Sequence, residues 1–270
     1  MPLERFRKAK EPEIAMLRTL AAKNCLPRPF SGHRPPFSRA LIPTNGRPAI
    51  IAEYKRASPS RGIIRQDLDI ASVCVSYAAA KASAISILTE QQFFHGDISY
   101  LACAAKALLQ AGFRTPLLRK DFCFDPLQIQ ATAATPASAL LLIVRLTPDP
   151  KTLQALQEYA QSFGLETVVE VFDEEDLAIA RASGASIIQV NARDLASLAV
   201  CFPNVLDLAQ KHPPKDNELW IAASGITTPS QILQASRVGF SACLIGTHLM
   251  ETANPATALA LFVEPTGEQQ

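Results

Sequence analysis

The chain is poor in the residues and runs that mark several common protein classes. Its six cysteines stand apart at positions 25, 74, 103, 123, 201 and 243, with no Cys-x-x-Cys pair. That spacing excludes a zinc ribbon and reads as buried thiols of a reducing compartment. The four histidines, His33, His95, His212 and His248, form no His-x-x-x-His, so no metal site is expected. No apolar run reaches the ~18 residues of a membrane-spanning helix. The first residues, MPLERFRK, lack the apolar core of a signal peptide, and a cytoplasmic protein is expected. Lysine and arginine total 26 against 25 acids, a net charge of +1. No global field therefore gathers nucleic acid or an anionic membrane, and any anionic ligand must be held by a local site.

What is present is apolar material and regular alternation. With 270 residues, 48% of them hydrophobic, the chain can fill one large core, and α/β barrels of about this length fold as one unit. Residues 4 to 23 carry Phe6, Ile14, Leu17, Leu20 and Ala21 among charges, the pattern of an amphipathic helix lying on a larger body. From 27 to 48 the composition shifts to Pro, Ser, Arg and Gly, a connector with Phe37 and Leu41 as anchors. We therefore divide the chain into a helix and connector over 1–48 and a catalytic barrel over 49–270. Within the latter, apolar runs at 49–54, 84–88, 116–120, 139–144, 167–171, 187–191, 219–223 and 241–246 alternate with amphipathic stretches. Those stretches, at 69–81, 98–111, 126–134, 149–162, 173–183, 203–211, 228–237 and 254–262, read as helices. Asp97, Asp125, Asp173 and Thr228 are their expected caps. Strand and helix repeated eight times predict a (β/α)8 TIM barrel, with catalytic groups at the C-terminal strand ends. A doubly wound sheet is the alternative. It lacks a Gly-x-Gly-x-x-Gly after the first strand, which weakens its dinucleotide-binding form.

The strand ends supply an unusual set of side chains. In Ile50 to Gly62 (IIAEYKRASPSRG), strand alternation puts Glu53 and Lys55 on one face with Ile51 behind them, and turn residues follow. The other ends carry Thr89 and Glu90, Lys120 and Asp121, Glu170, Asn191 with Arg193, Ser224 with Gly225, and Gly246 with Thr247. Each has a plain reading alone, as a surface ion pair, a solvated end or a turn cap. Two lysines, two glutamates and an asparagine converging on one barrel mouth are costly unless a site uses them. The glycines of the last two units suit a phosphate held by backbone donors.

Five segments together resemble indole-3-glycerol-phosphate synthase, the tryptophan-pathway barrel: IAEYKRASPSRG from Ile51, ILTEQQFFHG from Ile87, PLLRKDF from Pro116, VVEV from Val168 with VNARDL from Val190, and SGI from Ser224 with LIGTHLM from Leu244. The resemblance implies a carboxy-lyase that needs no cofactor. Its substrate would be 1-(2-carboxyphenylamino)-1-deoxyribulose 5-phosphate, closed to an indole with loss of CO2 and water. It implies Lys120 as the general acid, with Lys55, Glu53 and Glu170 sharing the remaining proton transfers and Asn191 beside them; which group holds which proton stays open. Ser58, Pro59, Phe94, Phe122, Arg193 and Leu195 would surround the anthranilate portion, with Asn191. Ser224 would meet the sugar, and Lys55, Gly225, Gly246 and Thr247 the phosphate. Other tryptophan-pathway enzymes are the implied partners.

The pattern also breaks. Ala223 stands before Ser224-Gly225-Ile226 where the family usually has glutamate, and Ala192 follows Asn191 where it usually has a second asparagine. The missing carboxylate leaves Lys55 and Lys120 balanced by Glu53 and Glu170 and predicts a lower turnover. Two rivals stand beside the synthase: a catalytically silent phosphate-binding barrel, and a phosphoribosylanthranilate isomerase-like enzyme, against which the Glu-x-Lys and Leu-Arg-Lys-Asp-Phe motifs argue.

Overall fold

The computed structural model describes residues 3–193 and 199–263. α1 (Glu4–Ala22) and a short α2 (Phe37–Ala40) precede the first strand, β1 (Ala49–Tyr54), which leads into a small hairpin of β2 (Ala57–Ser58) and β3 (Gly62–Ile63). Then follow α3 (Ile70–Ala79), β4 (Ala84–Leu88), α4 (Ser99–Gln110), β5 (Leu117–Cys123), α5 (Pro126–Ala133), β6 (Ala139–Ile143) and a 3-10 turn at Val144–Leu146. The remainder is α6 (Pro150–Ser162), β7 (Glu166–Val171), α7 (Glu174–Ala182), β8 (Ile187–Asn191), α8 (Phe202–Lys211), β9 (Leu219–Ala223), α9 (Pro229–Arg237), β10 (Ala242–Ile245), α10 (Thr247–Met250) and α11 (Pro255–Val263).

Eight of these strands close into a parallel barrel in the order β1-β10-β9-β8-β7-β6-β5-β4. The (β/α)8 fold is thus the observed one, and the doubly wound alternative is set aside. β1 joins the last strand in the register Ala49↔Ala242 to Ala52↔Ile245. Strands buried on both faces need continuous apolar runs, which is why these segments do not alternate in polarity. Inward residues such as Ile51, Leu118, Leu141, Val168, Ile221 and Leu244 fill the interior, and a second cluster packs the strands against the helices.

The expected caps mostly hold. Asp125 and Thr228 each form a capping box with the glutamine three residues on, and Asp173 accepts from Asp176 N. Asp97 lies one residue before the cap of α4, where its carboxylate accepts from Ser99 N at 2.8 Å. The expectation of buried thiols is corrected for half the set. Cys74, Cys123 and Cys243 are buried, whereas Cys25, Cys103 and Cys201 are exposed, in the connector, on the outer side of α4 and at the start of α8.

The segment before β1 touches both ends of the barrel. Phe37 N and Ser38 N, at the start of α2, donate to the carboxylate of Glu166 at the start of β7, and Phe37 and Leu41 are fully buried against the interior cluster. At the opposite end, Phe6 of α1 stacks on Phe122 with ring centroids 4.3 Å apart and meets Phe93 edge-on at 5.1 Å. Four aromatic rings, Phe6, Phe93, Phe94 and Phe122, thereby form one wall at the C-terminal mouth.

Candidate active site

The mouth holds a cleft of about 790 Å³ that runs into a second of about 720 Å³. Glu53, Lys55, Arg193, Ser224 and Leu244 border both, so the two are one elongated depression. The aromatic end is lined by Ser58, Pro59, Phe94, Lys120, Phe122, Glu170 and Asn191, with Ala223 beside them. The other end is lined by Gly225, Gly246 and Thr247. All the residues expected from sequence thus border one depression, except Leu195, which lies outside the described residues.

β1 ends with Glu53 and Lys55 turned into the mouth, as its alternation requires. Lys55 Nζ lies 2.9 Å from Glu53 Oε1, while Ser86 of β4 donates to Glu53 Oε2 at 3.2 Å. Burial alone would push the Glu53 carboxyl up. The ammonium groups of Lys55 and Lys120, with the Lys55 and Ser86 hydrogen bonds, outweigh it and hold the group below the usual glutamate value. Across the cleft, Lys120 of β5 stands 3.7 Å from Glu170 Oε2 of β7. Glu170 is buried and also takes a hydrogen bond from Gln189 Nε2 on β8. Two lysine–glutamate pairs therefore face one space.

The rim is shaped by loops. The hairpin after β1 presents Ser58 and Pro59, and the buried Ser58 Oγ has no hydrogen-bond partner among the described residues. Asn191 Oδ1 accepts from Arg193 N at 3.0 Å, and Arg193 Nη1 donates to Ser60 Oγ at 2.8 Å, tying the loop after β8 to the hairpin. After β4, Glu90 turns its carboxylate back on its own loop, accepting from the backbone N–H groups of Gln92, Phe93 and Phe94 at 2.7–3.1 Å. Burial nonetheless pushes the Glu90 carboxyl above its usual value.

The other end combines glycine-containing turns with charged side chains, Lys55, Arg61, Arg193 and Glu251 among them. Ser224 and Gly225 both have positive φ, +69° and +77°, so the turn after β9 places two left-handed residues in a row. For the non-glycine Ser224 this conformation is strained, and such strain collects at binding sites. Gly246 is required by proximity: a Cβ there would lie 3.1 Å from both Cβ and Cδ of Glu53, and closer still to Oε1.

Phe6 was not foreseen. Its ring borders the cleft from a helix outside the barrel. Its only signal in the sequence is its place as the first apolar residue of an amphipathic helix, which does not say where that helix docks. Among the described residues no group of His, Cys, Asp and Glu could hold a metal ion, and no helix is long and apolar enough to cross a membrane.

Solved barrels of this shape include 3-hexulose-6-phosphate synthase from Salmonella typhimurium, at a TM-score of 0.61 and 13% identity over 79% of this chain and 96% of that one. Thiamine phosphate pyrophosphorylase from Pyrococcus furiosus superposes at 0.58 and 14% identity, over 81% and 95%. At such identities they speak for the fold alone. Sequence relatives are much nearer. The indole-3-glycerol phosphate synthase of Caldanaerobacter subterraneus subsp. tengcongensis is 37% identical over 93% of this chain and 94% of its own length. That of Salinibacter ruber is 37% identical over 86% and 84%. A multifunctional tryptophan biosynthesis protein of Schizosaccharomyces pombe is 39% identical over 78% of this chain, which spans 27% of that longer protein. The family model described as indole-3-glycerol phosphate synthase matches residues 4–261, and with these relatives it shows that the chain belongs to the indole-3-glycerol phosphate synthase family.

Proposed function

We propose that the two facing pairs, Lys55–Glu53 and Lys120–Glu170, carry the family reaction of tryptophan biosynthesis in this cleft: conversion of 1-(2-carboxyphenylamino)-1-deoxyribulose 5-phosphate to indole-3-glycerol phosphate. The observation that supports this reading is the placement of these pairs between an aromatic wall and the glycine-containing turns after β9 and β10. The phosphate sits on the backbone of Ser224, Gly225, Gly246 and Thr247 with Lys55 beside it. The anthranilate ring lies against Phe94, Phe122 and Pro59, and its carboxylate meets Ser58, Asn191 and Arg193. Anchoring both ends of a flexible molecule places the reacting atoms between them, so remote binding energy offsets the entropy of closure.

In the first step the ring carbon bearing the carboxylate attacks the sugar carbonyl carbon. The new carbon–carbon bond forms as the carbonyl electron pair moves to oxygen, and Lys120 delivers a proton there. Loss of CO2 returns its bonding pair to the ring system. The hydroxyl then leaves as water with a proton from an acid, and a base takes a proton from the new ring to complete the indole. Lys55, Glu53 and Glu170 are the groups within reach for these transfers. No step calls for a metal or nucleotide. The six unpaired thiols suit a reducing cytoplasm. Association with other enzymes of the pathway is part of the same reading, prompted by the multifunctional relative from Schizosaccharomyces pombe.

Ala223 favours a second reading. A methyl borders the cleft at a position where a carboxylate would meet the lysines, so a barrel that binds the phosphorylated ligand without turning it over is the rival. Binding cannot separate the two; product formation can. Purified protein mixed with the substrate in metal-free buffer is expected to develop indole fluorescence, and Lys120→Ala is expected to abolish it. Binding without a Lys120-dependent signal would decide for the silent barrel.

A further inference from the structure

Behind the reacting face, β5 leaves its ladder with β6. The register passes from Arg119↔Leu140 to Cys123↔Leu142, so three residues of β5 oppose one of β6. Those three are Lys120, Asp121 and Phe122, and all three border the cleft. On this flank a side chain supplies what the ladder does not: Asp121 Oδ1 accepts from Phe122 N at 2.8 Å. The same oxygen receives Lys10 Nζ at 2.8 Å, while Oδ2 accepts from Thr89 Oγ1 at 2.6 Å and Arg119 Nη2 at 2.8 Å. Lys10 belongs to α1, outside the barrel, yet it and Asp121 are each only 3% exposed.

The titratable groups around Asp121 come from three elements. Lys10 and Glu13 face it from α1, Arg119 and the Cys123 thiol from β5, and Glu90 from the end of β4, while α5 adds the uncharged Gln128 and Thr132 around Arg119. Glu13 contacts both Lys10 and Arg119. Of the three carboxylates, Asp121 and Glu13 contact the two cations while Glu90 is held by its own loop, and Lys10 is the cation on the oxygen that holds the strand backbone.

We propose that Lys10 is a positioning residue for the reaction: its ammonium fixes the Asp121 carboxylate, which fixes the irregular end of β5 and so sets Lys120 and Phe122 in the cleft. This rests on the assignment of Lys120 as the general acid. Without Lys10, Asp121 and Glu13 compete for the Arg119 guanidinium. Removing one member of a buried ion pair leaves an uncompensated charge that the surroundings must relax around. The Asp121 carboxylate is then drawn toward Arg119 and away from Phe122 N, and a displacement of a fraction of an ångström at Lys120 is enough to slow the chemistry. The phosphate end, on β9 and β10, lies elsewhere on the barrel and keeps its geometry.

The test uses the full chain with Lys10→Met. The expected result is a kcat at least tenfold lower with KM within threefold of wild type, and a new acid limb in the kcat profile as Asp121, stripped of one cation, takes up a proton at higher pH. Arg18→Ala is the control, because it cuts the exposed contact of the same helix to Asp125 without touching Asp121; its kcat should match wild type. A Lys10→Met enzyme whose kcat falls only in proportion to its folded fraction, with an unshifted pH profile, would overturn the proposal. A readout independent of turnover separates this from failure of the assigned activity. Acetylation of Lys120 by acetic anhydride, mapped by peptide mass and referred to the exposed Lys151, should change at least threefold in Lys10→Met, and an unchanged ratio overturns the proposal even in a chain that makes no indole. Should Lys10→Met not fold, Lys10→Gln, which keeps an N–H donor, is judged by the same readouts.

Discussion

Gly246 packs directly against Glu53, which borders both ends of the cleft, and Gly246→Ala turns that proximity into a measurement. β10 pairs with β1 through Ile245↔Ala52, which sets the next residue of each strand, Gly246 and Glu53, side by side. An added methyl would lie 3.1 Å from Glu53 Cβ and Cδ and closer to Oε1, whereas unstrained contacts between carbons begin near 3.5 Å. The carboxylate must retreat by about 1 Å to accommodate it. It has little room: it is 3% exposed, with Oε2 against Ser86. A retreat of that size lengthens the 2.9 Å contact with Lys55 beyond hydrogen-bonding reach. Misplacement on this scale costs about 100-fold in rate, equivalent to ~2.7 kcal/mol of transition-state stabilisation. Overpacking should also lower folding stability by about 1–3 kcal/mol. Steady-state indole formation with a thermal melt on the same preparation measures both. A variant within threefold of wild-type kcat and with an unchanged melt would refute the reasoning, because it would mean that the Glu53–Lys55 contact either survives a methyl or is not used.

Ala223→Glu places a carboxylate in the cleft among Lys55 and Lys120 and is expected to raise kcat about tenfold, with some loss of melting temperature from burying the new charge. An unchanged kcat would remove the missing acid as a brake on turnover. Asp121 makes a prediction about pH. Burial works to raise its carboxyl, but Arg119 and Lys10 outweigh burial and hold it well below the usual aspartate value. In the window between the folded and unfolded values the unfolded chain binds the extra proton. The Asp121 contribution is therefore complete above the unfolded value, about pH 4, and is lost as pH falls through the folded one. Asp121→Asn should flatten the fall of melting temperature below about pH 4, measured by calorimetry on both proteins; parallel curves would refute it.

The barrel was legible because its strands are buried on both faces. Ala49–Tyr54, Ala84–Leu88, Ile187–Asn191 and Leu219–Ala223 coincide with the apolar runs that predicted them, since a parallel strand covered by helices has little choice but to be apolar throughout. β5 was read three residues short, because Asp121, Phe122 and Cys123 look like the start of a loop, and what holds them extended lies on other elements: Lys10 on Asp121, Gln128 Nε2 on Phe122 O and Leu142 beside Cys123. Glu53, Lys55, Lys120 and Glu170 could be placed from sequence because the fold brings all strand ends to one mouth. Lys10 and Arg119 could not. A lysine on an amphipathic helix and an arginine in a strand read as solvated charge, and their partners lie on elements far away in sequence. Phe6 was lost for the same reason, as helical periodicity reports which face is buried but not what covers it.

Closure of the barrel by its first and last strands sets a timetable for synthesis. Gly246 is made long after Glu53, and at ordinary rates of translation the interval is roughly 10–40 s. Until then β1 has no partner on the side where β10 will pair, and a growing sheet carries an open edge able to recruit other chains. The same event that removes this hazard brings Gly246 against Glu53, so a nascent chain passes from an edge in need of protection to a completed cleft in one step.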